Sequence, residues 1–205
     1  MALGSFVYLS NVNNLSDARY AAGIGVDLVG FRLNPNDGEA LNPEQFKEIA
    51  EWISGVKIAG EFGDSSAAEV GQYLKNYELD YLMIADASQL HAFAELSIPL
   101  ILKIHIQNET KDQLTATLNY CSGIIDYFVL ESDHDRLDQG EKEIIKTYAS
   151  QFPILLGYGV NSTNAKSIVD ELNLKGISLK GKSEIRPGYK DFDEMADILE
   201  ILEID

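Results

Sequence analysis

The sequence predicts an α/β fold, a single-domain (β/α)8 TIM barrel that spans residues 1–205. Short apolar runs alternate with longer segments of helical periodicity, and eight such strand–helix units follow one another. Most of the runs are nearly continuous in apolar residues, as expected of strands that are covered on both faces. Strict alternation of strands and helices indicates a parallel sheet, and eight repeats favour its closure into a barrel. A doubly wound open sheet alternates in the same way and is the main alternative.

The positions of the elements follow from these runs and from the residues that begin the helices. The predicted strands are residues 6–10, 27–31, 56–62, 81–85, 100–106, 127–132, 153–158 and 175–181. Asn42 followed by Pro43 places a capping residue and a first-turn proline at the start of the second helix. The further capping candidates are Ser162, Asp191 and, for the first helix, either Asn14 or Ser16.

The composition limits the classes of partner. Hydrophobic residues make up 45% of the 205 residues, which is enough for a large core, and the net charge is −17. Such a charge argues against nucleic acid and against anionic membrane surfaces as partners. It leaves room for a phosphorylated small-molecule ligand, because a local set of backbone amides binds phosphate on an acidic protein.

Cysteine usage and hydropathy indicate the compartment. The lone cysteine, Cys121, excludes an internal disulfide framework and is interpreted as a packed, inert thiol at a helix end. The sequence shows neither a secretory leader pattern nor an apolar run of membrane-spanning length. We therefore expect a cytoplasmic protein, either a monomer or a homodimer.

In a (β/α)8 barrel the chemistry lies at the C-terminal ends of the strands. The polar residues predicted at that end are Ser10, Asn11, Arg32, Glu61, Asp64, Asp86, His105, Gln107, Glu131, Asp133, Tyr158, Lys180 and Lys182. Ser10 is the residue with which the first strand ends, so its hydroxyl is expected at the mouth of the barrel.

Four segments carry a resemblance to a known family. They are VYLSNVNNLSDARYAAGIGVDLVGF at 7–31, LNPEQFKEIAEWI at 41–53, LLGYGVNSTNAKSIV at 155–169 and RPGYKDFDEM at 186–195. In that order they resemble the segments V-K-I-C-G-I-T-N-L-E-D-A with A-G-A-D-A-L-G-F, S-P-E-x-A, L-S-G-G-L-N-P-E-N-V and F-P-G-x-K-D of phosphoribosylanthranilate isomerase, an enzyme of tryptophan biosynthesis. The resemblance spans most of the chain and implies the barrel fold.

The resemblance also implies a reaction, the Amadori rearrangement of a phosphoribosyl-anthranilate to a ketose, with no metal or organic cofactor. The family uses a cysteine base at the end of strand 1 and an aspartate acid at the end of strand 6. Ser10 and Glu131 stand at those two positions. A serine hydroxyl is a far weaker base than a thiol and needs an activating partner, whereas Glu131 retains a carboxylate that projects one methylene farther.

Other positions depart from the family pattern. Asn11 replaces the glycine that follows the cysteine, and Glu39 stands where an arginine contacts the substrate. The backbone phosphate cradle after strands 7 and 8 falls on 158–160 and 180–184. The residues predicted to bind the substrate or its phosphate are Asn11, Lys103, Tyr158, Gly159, Lys180, Gly181 and Lys182.

Lys180 and Lys182 either bind phosphate or fill the cradle and pair with Glu131 or Glu184. Lys103 is interpreted as a structural partner of Glu61 or Glu131, with a Schiff-base amine as the bolder alternative. The acidic stretch at 132–135 is more typical of a solvated loop than of a metal site.

Two functional hypotheses follow. In the first, the chain is an isomerase of this family that acts on phosphoribosylanthranilate or a related phosphorylated sugar, with Glu131 as acid and with Ser10 or another residue assisting the base. In the second, the barrel is inactive or repurposed and binds a phosphorylated small molecule. The fold alone does not decide between them.

Overall fold

The computed structural model describes residues 2–134, 136–181 and 193–204, and within them eight parallel strands form a closed barrel surrounded by eight helices. The first and last barrel strands pair in parallel, in a register that runs from Phe6 opposite Gly176 to Ser10 opposite Lys180. This pairing closes the ring, so the predicted (β/α)8 barrel is confirmed and the open-sheet alternative is wrong.

Each barrel strand lies within two residues of its predicted boundaries. The strands are β1 Phe6–Val12, β2 Leu28–Arg32, β3 Lys57–Glu61, β4 Tyr81–Ile84, β5 Leu100–His105, β6 Ile125–Glu131, β7 Ile154–Leu156 and β8 Gly176–Lys180. The helices are α1 Leu15–Ile24, α2 Pro43–Ala50, α3 Ala67–Tyr73, α4 Leu90–Ala94, α5 Lys111–Cys121, α6 Gln139–Ala149, α7 Ala165–Leu172 and α8 Asp193–Leu202. Among the described residues, no helix combines the length and the apolar composition needed to span a bilayer.

The helix starts show why these segments become helical. The Asn14 side chain accepts a hydrogen bond from the Asp17 N–H, so Asn14 rather than Ser16 caps α1. Asn42 caps α2 in a reciprocal capping box with Gln45, and Pro43 is the first helical residue, as predicted. Such caps satisfy backbone donors that the first helical turn would otherwise leave without partners.

The predicted cap at Ser162 is wrong, because α7 begins later, after Asn164. Asn161 forms a side-chain turn with the Thr163 N–H, and its own N–H donates to the Asn164 side chain at 2.8 Å. This turn uses the segment before Ala165 and delays the helix. Asp191, the other late candidate, lies outside the described residues.

The barrel interior is filled by side chains in layers, which leaves the mouth as the place for polar groups. Its middle is apolar and buried, built from Tyr8, Leu28, Ala59, Met83, Ile101, Val129 and Leu155. Below it an aromatic floor consists of Phe6, Tyr81 and Tyr127, with the rings of Phe6 and Tyr127 stacked at 4.7 Å. A second apolar layer lies between the sheet and the helices, and Cys121 is buried there, as predicted for a packed thiol.

Two short strands were not predicted from the sequence. Ala2–Leu3 and Glu203–Ile204 pair antiparallel, with Ala2 opposite Ile204. Two-residue strands carry no periodicity, so the sequence offers no pattern by which to detect them.

Candidate active site

Ser10 and Glu131, which the resemblance implies as a proton-transfer pair, lie at the same end of the barrel. Ser10 lies near the end of β1 and Glu131 at the end of β6, and both are buried, at 2% and 3% exposure. Their placement at the same end of the barrel agrees with the sequence-based expectation, and whether they carry the chemistry stays a prediction.

Glu131 is ion-paired across the mouth. Its Oε2 atom lies 3.1 Å from the Lys180 Nζ atom of β8 and 3.4 Å from the His105 Nε2 atom of β5. A Cβ atom at Gly157 would come within 3.2 Å of the Glu131 Cγ atom, so the glycine after β7 leaves room for this carboxylate. Among the alternatives for Lys180, the structure therefore shows the pair with Glu131.

Lys103 does not make the ion pair expected of it. No carboxylate of the described residues lies within 4.0 Å of its amine, and Lys180 and His105 are the partners of Glu131 instead. Lys103 nevertheless lies close enough to Glu61 for its positive charge to lower the pKa of that carboxyl. Lys103 and Glu61 therefore attract each other over a longer distance and do not form the predicted ion pair.

The Ser10 hydroxyl is satisfied by the backbone. Its Oγ atom donates to the Leu179 carbonyl oxygen at 3.2 Å. Within the described part of the chain, this hydroxyl has no hydrogen bond to a histidine, an amine or a carboxylate that would activate it as a nucleophile or base. In this structure Ser10 is a hydrogen-bonding residue of the barrel mouth.

A second buried carboxylate, which the sequence did not single out as a site residue, lies at the end of β3. Glu61 is 4% exposed and accepts a hydrogen bond from the Tyr8 hydroxyl and another, at 3.0 Å, from the Asn11 N–H. Burial raises the pKa of the Glu61 carboxyl above its ordinary value, and the Tyr8 and Asn11 hydrogen bonds and the Lys103 charge oppose that rise. Burial also raises the pKa of the Tyr8 phenol, as does the neighbouring Glu61.

The space for this pair comes from Gly30 on β2. A Cβ atom at that position would overlap both the Glu61 Oε1 atom and the Tyr8 hydroxyl. The sequence already placed Glu61 at the mouth, because it ends a barrel strand. Tyr8 was missed, although it lies two residues before Ser10, so strand alternation places its side chain on the same inner face as that of Ser10.

Two cavities open at the mouth. One, of about 450 Å³, lies by the ends of β4 and β5 and is lined by residues that include Asp86, Lys103 and His105. The other, of about 610 Å³, lies by the ends of β7 and β8 and is lined by residues that include Gly159 and Lys180. Glu131 contacts one residue from each cavity, His105 and Lys180, so its carboxylate lies between them.

The residues predicted to bind the substrate or its phosphate are only partly brought together. Tyr158, Gly159 and Lys180 line the larger cavity, whereas Lys103 lines the smaller one. The Tyr158 side chain is 6% exposed and packs between the sheet and the helices; burial raises the pKa of its phenol, with contributions from acidic residues of the α6 region. Gly181 donates its N–H to the Ser10 carbonyl oxygen at 2.8 Å. Lys182 lies outside the described residues.

The loop after β2 neutralises its own acidic residues. The Arg32 guanidinium at the end of β2 binds the Asp37 carboxylate and lies 2.6 Å from the Glu39 Oε2 atom. The Glu39 N–H and Arg32 together lower the pKa of the Asp37 carboxyl. Glu39 is therefore paired rather than free to repel an anionic ligand. At the 132–135 stretch, residues 132–134 belong to no metal-binding group of three or more His, Cys, Asp or Glu side chains among the described residues, and Asp135 lies outside them.

Comparisons of sequence and of structure both find phosphoribosylanthranilate isomerases as similar proteins. The N-(5'-phosphoribosyl)anthranilate isomerase of Parabacteroides distasonis is 25% identical over 194 residues, covering 89% of this chain and 86% of the relative. The enzyme of Maridesulfovibrio salexigens is 23% identical over 200 residues, covering 93% and 94%. The chain is a divergent relative of the phosphoribosylanthranilate isomerases.

Solved phosphoribosylanthranilate isomerases share the fold at low identity. The Thermotoga maritima structure superposes with a TM-score of 0.78 at 20% identity, covering 97% of this chain and 98% of that chain. A structure in complex with reduced 1-(o-carboxyphenylamino)-1-deoxyribulose 5-phosphate gives a TM-score of 0.77 at 21% identity and the same coverage. No family model matches the chain.

One departure from the phosphoribosylanthranilate isomerase pattern has a structural explanation. Asn11 stands where that family has a glycine, and its backbone is left-handed, with φ of 59°. Glycine adopts this conformation without strain, and asparagine is among the few other residues that visit it routinely. The replacement therefore keeps the turn that directs the Asn11 N–H at Glu61.

Proposed function

We propose that this chain is an isomerase of the phosphoribosylanthranilate isomerase type, which converts a phosphoribosyl aldose derivative to the ketose. The observation that carries the proposal is a buried carboxylate, Glu131, placed at the end of β6 beside a cavity lined by Gly159 and Lys180. A carboxyl group that exchanges protons and an adjacent anion site are the two parts that such a reaction needs.

The phosphate is assigned to the larger cavity. Gly159 has φ of 67°, and a Cβ atom there would come within 2.9 Å of the Leu137 Cγ atom, so the backbone at this point requires glycine. Glycine lets an anion approach the backbone closely, and Lys180 adds a positive charge at the rim. A phosphate in this cavity would compete with Glu131 for the Lys180 ammonium.

In the proposed reaction Glu131 acts as the general acid. The bond between C1 and the ring oxygen breaks, the ring oxygen takes the proton of Glu131, and the nitrogen lone pair forms a C1–N double bond. A base then removes the proton at C2, the C2–H electron pair becomes the C1–C2 double bond, and the former C1–N pair returns to nitrogen. Tautomerisation of the resulting enol gives the ketose, and no external oxidant or reductant is consumed.

A second candidate function is supported by the satisfied state of the polar groups. Ser10 donates to a backbone carbonyl, Arg32 is bound by two carboxylates of its own loop, and Lys180 holds Glu131. Groups that are already paired favour a barrel that binds a phosphorylated small molecule without turning it over.

Turnover and binding measured on one preparation separate the two functions. The purified protein is mixed with N-(5'-phosphoribosyl)anthranilate, whose consumption is followed by fluorescence, and is titrated calorimetrically with the reduced product analogue named above. We expect turnover that falls about 100-fold or more in Glu131→Gln, the typical contribution of a general acid. Analogue binding without turnover would favour the second function, and neither binding nor turnover would refute both.

Ser10→Cys serves as a sensitive control. It restores the thiol that the resemblance places at the end of strand 1, and the thiol is a much better proton acceptor than a hydroxyl. Higher turnover in this variant would show that the remainder of the pocket accepts the substrate.

A further inference from the structure

We propose that Glu61 is the second proton-transfer residue of the barrel mouth and acts as the general base that the resemblance places at position 10. The inference rests on the proposed isomerase function and adds a residue that the phosphoribosylanthranilate isomerase pattern does not assign. It supplies the general base that Ser10 does not provide, because the Ser10 hydroxyl is bound to a backbone carbonyl.

The geometry places the Glu61 carboxylate directly beside the end of β1. The Asn11 N–H donates to both of its oxygens, at 3.0 Å to Oε2 and 3.3 Å to Oε1, so the carboxylate lies next to the residue that follows Ser10. At 4% exposure, Glu61 is as deeply placed as Glu131, which is 3% exposed. Glu61, the inferred base, and Glu131, which stands at the position of the family's acid, are therefore buried to the same extent.

The Glu61 side chain is fixed by hydrogen bonds in addition to packing. Among the described residues, Glu61 only accepts hydrogen bonds, from the Tyr8 hydroxyl and the Asn11 N–H, as required of a carboxylate that is to receive a proton. Gly30 has no side chain, and this leaves the space that the Tyr8–Glu61 pair occupies. A carboxylate fixed by a hydroxyl and a backbone N–H of β1, with its space left by a glycine of β2, has the preorganisation that proton transfer needs.

The charges around Glu61 suit a base. Tyr8 faces it from β1, Lys103 from β5 and Glu131 from β6, while its β2 neighbour Arg32 is occupied by its own loop. Burial and Glu131 raise the pKa of Glu61, whereas Tyr8, the Asn11 N–H and Lys103 lower it. A carboxylate whose pKa lies above its ordinary value is a stronger base near neutral pH.

The step balances as a single proton transfer. The C2–H bond of the ring-opened substrate breaks, its proton forms an O–H bond with a Glu61 oxygen, and the electron pair becomes the C1–C2 double bond. Glu61 then returns this proton to C1, while the enol hydroxyl at C2 releases its proton to solvent and becomes the ketone. Glu61 is thereby regenerated, and Glu131, which gave its proton to the ring oxygen, regains one from solvent.

Glu61→Gln provides the first test, with Glu48→Gln on the exposed face of α2 as the matched control. Gln keeps the size and an acceptor oxygen but is not a base. We expect kcat to fall about 100-fold or more, with KM changed less than about threefold, and Glu48→Gln to behave as wild type. A Glu61→Gln enzyme that keeps kcat within about threefold overturns the inference and leaves the isomerase function standing.

Tyr8→Phe gives a readout that a purely structural role would not move. The Tyr8 hydroxyl lowers the pKa of Glu61, so its loss raises that pKa and shifts the acidic limb of the kcat/KM profile to higher pH. An unshifted limb overturns the inference, even if Glu61→Gln fails to fold. Wild-type protein that does not turn over the phosphoribosyl substrate refutes the proposed function and this inference together, an outcome distinct from an active Glu61→Gln enzyme.

Discussion

Replacing Gly30 with alanine tests the most crowded point of the barrel mouth. The added Cβ atom would overlap the Glu61 Oε1 atom and the Tyr8 hydroxyl, and it would approach the Tyr8 Cε2 atom to 2.8 Å. Flexible side-chain ends often move aside at small cost. Here both ends are buried and bound to each other, and Glu61 is also held by the Asn11 N–H.

The expected cost follows from two losses and one gain. Overpacking of a well-packed interior costs about 1–3 kcal/mol, and loss of a hydrogen bond to a charged group costs about 1.5–3 kcal/mol. Removing a glycine from a strand returns about 0.5–1 kcal/mol. The free energy of unfolding should therefore fall by roughly 2–5 kcal/mol, a large part of the total of about 5–15 kcal/mol that is typical of a domain.

Urea denaturation at pH 7, followed by tyrosine fluorescence and far-UV circular dichroism, measures this loss. Gly23→Ala in α1 is the matched control, because nothing lies within 4 Å of a Cβ atom there. Alanine at that helical position should stabilise the protein by about 0.5–1 kcal/mol. The same Gly30→Ala change in a Glu61→Ala background should cost measurably less, because one of the two overlaps is gone.

A Gly30→Ala protein with the wild-type unfolding midpoint would contradict this reasoning. So would an equal cost in the Glu61→Ala background, which would place the strain elsewhere in the barrel. Either result would mean that the Tyr8–Glu61 pair is not held as tightly as the contacts indicate.

Three further predictions concern the same pocket. Asn11→Gly should leave the free energy of unfolding within about 0.5 kcal/mol, whereas Asn11→Val should lower it by about 1–2 kcal/mol in urea titrations, because β-branched residues disfavour a left-handed backbone. Lys180→Met should destabilise by only about 1 kcal/mol, since the 43% exposure of the Lys180 side chain allows solvent to screen its pair with Glu131; a loss that does not shrink at high salt would contradict this. Because burial raises the folded-state pKa of Glu61 above its ordinary 4.5, its favourable contribution is full below pH 4.5 and is lost as pH rises through the folded-state pKa. The unfolding free energy of wild type minus that of Glu61→Gln should therefore fall between pH 4 and pH 8, and a difference independent of pH would argue against the raised pKa.

The barrel was predictable from sequence because its elements are locally determined. The apolar runs of the strands and caps such as that of Asn42 act within a few residues, so their signals survive without knowledge of the fold. The same locality explains the errors. Ser162 has the right chemistry for a cap, but the neighbouring turn of Asn161 outcompeted it.

The polar contacts of the mouth were not predictable in detail, because they join distant parts of the chain. Tyr8 and Glu61 are 53 residues apart, and their pairing depends on a glycine from a third strand. The sequence suggested Lys103, Lys180 or Lys182 as partners for Glu131; the barrel geometry selects Lys180 over Lys103, and Lys182 lies outside the described residues. Strand order and register decide such choices, and neither is written in a single segment.

The aromatic floor determines how a ligand enters and leaves the barrel. Phe6, Tyr81 and Tyr127 fill the lower end of the barrel, and the apolar layer above them fills its middle. A ligand that enters through the mouth of the barrel therefore also leaves through the mouth. Arrival and departure then share one route, so a released molecule that lingers there blocks the next arrival and acts as a competitive inhibitor.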